Sequence, residues 1–135
     1  MSADKPTITV TGSYRKHLSR IFEARRRFLE AGAIVLRPHT EQMSGSDGSL
    51  ILLEGDPHTA SEVRRAQLQA IEKSDLLYVV NPGGYVGPAA TADAGYAHRS
   101  GTLIVCSEPA WEDVVADMAG GVGSPDRALE ILEGR

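Results

Sequence analysis

The sequence predicts one α/β domain over residues 1–135, a three-layer α/β/α sandwich around a mainly parallel sheet of four or five strands. Three observations predict it. Short β-branched or apolar runs recur at Thr7–Thr11, Ala33–Leu36, Asp75–Val80 and Thr102–Val105, each too short for a helix. Longer stretches with helical periodicity separate them. Those connections are long enough to cross over a sheet, so the strands they join run parallel.

Taken in order, Thr7–Thr11 (TITVT) reads as the first strand, and Gly12-Ser13 breaks it. Leu18, Ile21, Phe22, Phe28 and Leu29 then fall on one helix face, with Gly32 where a C-terminal cap belongs. Ala33–Leu36 (AIVL) is the second strand. Residues 38–49 (PHTEQMSGSDGS) are polar and rich in Gly and Ser, and read as one long loop. Leu50–Leu53 (LILL) is a short strand or a buried edge. Ala60–Lys73 is a helix whose inner face carries Val63, Gln67, Ala70 and Ile71. Asp75–Val80 (DLLYVV) is apolar almost throughout, as in a strand covered on both faces. Asn81–Pro88 is a glycine-bearing loop, Ala89–Ser100 an alanine-rich helix capped by Gly101, and Thr102–Val105 the next strand. Residues from Trp111 to about Met118 are helical, and Ser124-Pro125 caps and opens a last helix over 125–133.

Composition narrows the function classes. The chain has 24% charged and 41% hydrophobic residues, enough apolar surface for a core and no sign of wholesale disorder. No apolar run approaches the roughly 20 residues of a membrane span. A net charge of −4 disfavours a protein that coats a nucleic-acid polymer. The single cysteine, Cys106, excludes an intramolecular disulfide and reads as a core residue. Without a signal-like N-terminus, a cytoplasmic location is expected. Charge is uneven: residues 1–37 hold eight Lys/Arg against Asp4, Glu23 and Glu30. That excess is a solvated basic helix face, an attractor of an anionic ligand, or a contact with an acidic surface of another subunit.

Open α/β sheets bind ligands beyond the carboxyl ends of their strands. Two glycine-bearing turns meet that condition. In Gly12-Ser13-Tyr14-Arg15 the glycine allows close backbone approach, and the serine hydroxyl and helix-start amides can hold an anion. Arg15 adds a planar guanidinium. The pattern is neither a Walker phosphate loop nor a dinucleotide fingerprint, so no cofactor is expected. The second turn is Asn81-Pro82-Gly83-Gly84-Tyr85-Val86-Gly87, where Gly83, Gly84 and Gly87 let a ligand lie against backbone and Tyr85 can stack on a base or sugar. Each turn is also readable as an ordinary strand-to-helix connection. Asp93 lies early in the alanine-rich helix, among small residues that leave room for either close packing or a ligand. His17, His39, His58 and His98 lack the spacing of a helical zinc pair, so no metal is expected. Glu54 and Asp56 flank Gly55 and serve as turn and cap residues or as partners of a sugar hydroxyl.

Several of these segments together resemble the nucleoside 2-deoxyribosyltransferase-like superfamily. They are the strand–Gly12-Ser13-x-Arg15–helix, then Ala70-Ile71-x-x-x-Asp75-Leu76-Leu77-Tyr78-Val79-Val80-Asn81-Pro82, then Gly95-Tyr96-Ala97 before Gly101. The resemblance covers about residues 7–109 and implies a flavodoxin-like fold. The Gly-Ser-x-Arg turn resembles that of the branch acting on nucleoside 5′-monophosphates, where it holds the phosphate. In the family a glutamate two residues before Gly-Tyr-Ala attacks the anomeric carbon, and Asp93 stands there. Gln67 stands where relatives carry an aspartate that handles the departing base. Thr9 replaces a tyrosine, and Ala89 and Ala90 replace hydroxyl-bearing residues.

The resemblance implies cleavage or transfer at the N-glycosidic bond of a nucleoside or nucleoside 5′-monophosphate, with Asp93 as nucleophile. Gly12, Ser13, Tyr14 and Arg15 would take the 5′ end, Asn81, Gly83, Gly84, Tyr85 and Gly87 would frame sugar or base, and Gln67 would orient the base. It also implies a homodimer or higher oligomer. The replaced positions open the alternative of a nucleotide-binding module of the same fold with weakened or absent catalysis.

Overall fold

The computed structural model describes residues 5–48 and 50–135. Its main sheet has five strands: β1 (Thr7–Gly12), β2 (Ile34–Arg37), β5 (Leu76–Val80), β6 (Leu103–Cys106) and β7 (Gly121–Val122), in the order β2-β1-β5-β6-β7. All neighbours pair in parallel. Helices α1 (Tyr14–Glu30), α2 (Ala60–Lys73), α3 (Pro88–Ser100), α4 (Asp113–Met118) and α5 (Pro125–Glu133) connect or follow the strands.

Alternation along the strands divides the core in two. Ile8, Val10, Leu76, Tyr78, Val80, Leu103 and Val105 pack with Ile21, Phe22 and Phe28 of α1 and Ala128 of α5. On the other face Leu77, Val79, Ile104 and Cys106 meet Ile71 of α2, Ala90, Ala94 and Ala97 of α3, and Val115 of α4. This is the expected three-layer α/β/α sandwich in a single domain. Cys106 is a core residue; burial, with the nearby Glu112 carboxylate, pushes its thiol up to about 11. No helix among the described residues is long and apolar enough to cross a membrane.

Two elements depart from expectation. The predicted loop over 38–49 contains a strand, β3 (Met43–Asp47), which pairs antiparallel with β4 (Leu50–Leu53) in a separate two-stranded sheet. Every residue of β3 is exposed, so it lacks the apolar alternation that marks a strand. Ser49 lies outside the described residues. The hairpin is tied down by charge and by its apolar strand: Asp47 accepts from the Ala60 amide at 2.6 Å, and Leu53 is fully buried. The second departure is β7, whose two residues carry no pattern of their own and extend the sheet beside β6. Leu29, expected on the inner face of α1, is 41% exposed.

From β1 the chain passes to β2 on one side, then returns by the β3-β4 hairpin and α2 to β5 on the other side of β1, which makes the β1/β5 boundary the topological switch point. There Gly12 pairs with Val80. A Cβ on Gly12 would stand 2.7 Å from the Val80 carbonyl oxygen and 3.3 Å from Ile21 Cδ1, at φ +155°. Gly12→Ala should therefore cost about 1–3 kcal/mol of stability. A urea denaturation midpoint unchanged from wild type would show that the turn has slack the structure does not suggest.

Candidate functional site

Asp93 projects from the second turn of α3 into that switch point and is 9% exposed. Thr11, on the face of β1 beneath α2 and α3, donates to Asp93 Oδ2 at 2.7 Å. Gln67 of α2 donates its Nε2 to the same oxygen at 3.1 Å. Oδ1 takes no hydrogen bond among the described residues. Burial pushes the Asp93 carboxyl above the ordinary carboxylate range, and the two donated hydrogen bonds pull it back only in part. The result is a buried carboxyl held through one oxygen, with no hydrogen bond on the other among the described residues.

A folded-state pKa above the unfolded value means the native state holds the proton more tightly. Stability from this group is fully present below the ordinary Asp range and declines as pH rises through the raised pKa. Asp93→Asn keeps an oxygen for Thr11 and Gln67 and removes the buried charge. It should stabilise the protein at pH 7, an advantage that shrinks at pH 4. Thermal melts of both proteins at the two pH values check this; an Asn variant less stable at pH 7 would contradict it.

Behind Gln67 lies a set of residues not singled out together in the sequence. Arg37, at the end of β2, donates its Nε to Gln67 Oε1 at 3.4 Å and pairs with Asp56 at 2.5 and 3.4 Å. The Asp56 side chain is 1% exposed and that of Arg37 11%. Asp56 also accepts the Leu53 amide at 2.9 Å. Burial opposes ionisation of Asp56, but the Arg37 hydrogen bond, the Leu53 amide and the Arg37 charge outweigh it and hold the carboxyl low. His39 closes the set, with Nδ1 3.1 Å from Arg37 Nη1 and Nε2 2.6 Å from the Glu54 carbonyl oxygen. Asp56 is thus a buried ion-pair member rather than a simple turn residue.

Tyr14 completes this corner. Burial pushes its phenol far up; the Arg37 cation draws it down, and the Asp93 and Asp56 carboxylates push it up, so all three lie within electrostatic reach. Its hydroxyl makes no hydrogen bond among the described residues. Ser13 caps α1 by accepting the Lys16 amide at 3.3 Å, so its hydroxyl is partly spent on the helix. The basic excess of the N-terminal third divides in two. Arg25 and Arg26 pair with Glu41, and Arg27 pairs with Asp126. Arg15, Lys16 and Arg20, nearer the start of α1, make no ion pair among the described residues.

The second loop separates into lining and scaffold. Tyr85 lies beneath Lys16, whose amine is 3.9 Å from the ring centroid, and His17 meets it edge-on at 6.5 Å between centroids. Burial and the Lys16 and Arg20 charges push the His17 imidazole pKa down. Tyr85 also covers Gly87, where a Cβ would come within 3.3 Å of the ring. Asn81, expected to frame the ligand, is fully buried. Its Nδ2 donates to the Glu108 carbonyl at 2.8 Å, and its Oδ1 accepts from Ser107 Oγ and the Glu108 amide, each at 3.0 Å. That amide clamps the ends of β5 and β6 together, and its full burial keeps it from a ligand's reach. Gly84 is buried because the Trp111 ring occupies the space a Cβ would need, and Gly83 donates its amide to Glu108. Gly84 serves the loop's own packing, while Gly83 is exposed, with open space where a Cβ would stand and a left-handed φ of +70°. Two surface depressions lie away from Asp93, one beside Arg20 and Met43 and one beside Glu72 and Tyr96.

Thr11 and Arg37 are the site residues that sequence reasoning passed over. Thr7, Thr9 and Thr11 alternate with Ile8 and Val10 in a strand that must be buried on both faces. A hydroxyl on a doubly covered strand needs a partner, and that requirement was the available signal.

The chain is similar over its whole length to a conserved protein from Enterococcus faecalis V583. That crystal structure matches with a TM-score of 0.60, covering 98% of this chain and 99% of that one at 16% identity. At such an identity the likeness is one of fold. No protein-family model and no curated protein matches the chain.

Proposed function

We propose that this protein is a cytoplasmic enzyme that cleaves or transfers at the N-glycosidic bond of a nucleoside or nucleoside 5′-monophosphate, with Asp93 as the nucleophile. The observation that carries the reading is the Asp93 carboxylate itself. It is buried at the switch point of the sheet and fixed through one oxygen by Thr11 and Gln67, and its other oxygen has no hydrogen bond among the described residues. Oδ1 attacks the anomeric carbon while the bond to the base breaks and its electron pair leaves with the base nitrogen. Water or a second base then displaces the carboxylate from the glycosyl-enzyme ester and regenerates Asp93. Gln67 has no acidic proton to give, so the departing base takes one from solvent or leaves as its anion. Arg15, beside the Gly12-Ser13-Tyr14 turn, suits the 5′ end, and Tyr85 would stack on sugar or base once the Lys16 amine moves off its ring. A second copy of the chain would complete the site.

The test is base release from ribo- and deoxyribonucleosides and their 5′-monophosphates, followed by chromatography. Release establishes the reaction class, and exchange into an added free base separates transfer from hydrolysis. A second reading, a nucleotide-binding module, is favoured by Gln67 in the proton-handling position and by Ala89 and Ala90, which bring no hydroxyls. It predicts no base release with ligand-dependent thermal stabilisation by members of the same panel.

A further inference from the structure

We propose that Arg37, anchored by Asp56, is a positioning residue that fixes the orientation of the Gln67 amide and so keeps a donor on Asp93. A glutamine amide has an acceptor at one end and a donor pair at the other. Arg37 has only donors, and it meets Oε1 at 3.4 Å. With its oxygen turned to the guanidinium, Gln67 can present only its NH2 to Asp93, where it stands 3.1 Å from Oδ2. The flipped amide would set carbonyl oxygen against carboxylate oxygen at one end and NH2 against guanidinium at the other. Arg37 itself cannot turn away, because Asp56 binds two of its nitrogens and is in turn fixed by the Leu53 amide. The line Asp56–Arg37–Gln67–Asp93 therefore runs from the turn after β4, through the end of β2 and the middle of α2, to α3.

The consequence falls on the proton of Asp93. A donor held at Oδ2 favours the carboxylate and opposes the burial that favours the acid. The other groups facing this carboxyl are the Thr11 hydroxyl of β1 and the Tyr14 phenol of α1. Arg37 and Asp56 lie beyond Gln67 and nearly cancel as a pair, so their influence passes chiefly through the amide. The catalytic meaning of this arrangement rests on Asp93 being the reacting carboxylate. The positioning itself does not, and it is measurable without any substrate.

The measurement is the titration of Asp93 by carboxyl 13C NMR on aspartate-labelled protein, assigned by the signal lost in Asp93→Asn. Arg37→Lys keeps the charge and the pairing with Asp56 but loses the planar Nε–H aimed at Gln67. It should move the Asp93 midpoint up by about one pH unit, as should Gln67→Leu, and the double variant should move it no further than Gln67→Leu alone. If Arg37→Lys does not fold, Asp56→Asn, which keeps an acceptor for the Leu53 amide while releasing the guanidinium, gives the second readout. It also uncovers the Arg37 charge, which by itself lowers the Asp93 midpoint, so its effect is compared with that of the same substitution in a Gln67→Leu background, and relative to that it should lie upward when Gln67 is present. An unchanged midpoint in Arg37→Lys, equal effects of Asp56→Asn with and without Gln67, or shifts that add in the Arg37→Lys and Gln67→Leu double variant would overturn the proposal. Absence of base release would count against the enzymatic reading and leave this titration standing.

Discussion

Replacing Asp93 by alanine should lower base release by at least about a thousandfold, because it removes the atom that forms the intermediate rather than one that assists it. No other carboxylate among the described residues is placed to substitute: Asp56 is locked into the Arg37 pair and its side chain is 1% exposed. Asp93→Glu should retain activity or raise it, since the longer arm carries the carboxylate further toward an anomeric carbon, where a 1 Å misplacement costs about 100-fold. The pH profile follows from the same carboxyl. Attack needs the ionised form, and burial holds the pKa above the ordinary range. The acid limb should therefore fall off at a higher pH than for an exposed aspartate, and it should move further up in Arg37→Lys. Equal release by wild type and Asp93→Ala would remove Asp93 from the mechanism.

The second large effect is on stability. Asp56→Ala leaves the Arg37 guanidinium buried without its counter-ion and the Leu53 amide without its acceptor, and should cost about 3–5 kcal/mol. The sign with pH is opposite to that of Asp93. The Asp56 carboxyl is held low, so its contribution is present above the unfolded-state value and is lost as pH falls through the folded one. Urea denaturation at pH 7 and in acid should show a gap between wild type and variant that narrows in acid. A cost below about 1 kcal/mol at pH 7 would place this pair with exposed ion pairs. Replacing both partners with apolar residues of similar volume should restore much of the loss, while leaving Gln67 without its orienting donor.

How far the sequence is legible depends on whether a residue's partners are local. Strands β1, β5 and β6 and helices α2, α3 and α5 are visible because apolar periodicity, β-branching and caps such as Thr59 and Ser124 are written within a few residues. The β3 strand is not, because all five of its residues are exposed and its pairing is made by β4. In the site, Asp93 and Gln67 are findable from the helices that carry them. The Arg37–Asp56 pair joins positions 19 apart, and the Thr11–Asp93 bond joins positions 82 apart. No spacing rule connects those partners. Asn81 shows the converse: its setting in a glycine-rich loop suggests a ligand, and Ser107 and Glu108 from a distant turn claim its amide first.

The most direct test of Asp93 as nucleophile is a single-turnover reaction quenched in acid, with the protein digested and the peptides weighed. The peptide carrying Asp93 should gain the mass of the sugar, and the gain should disappear in Asp93→Asn together with base release. Sugar carried on any other residue, or base release undiminished in Asp93→Asn, would contradict it.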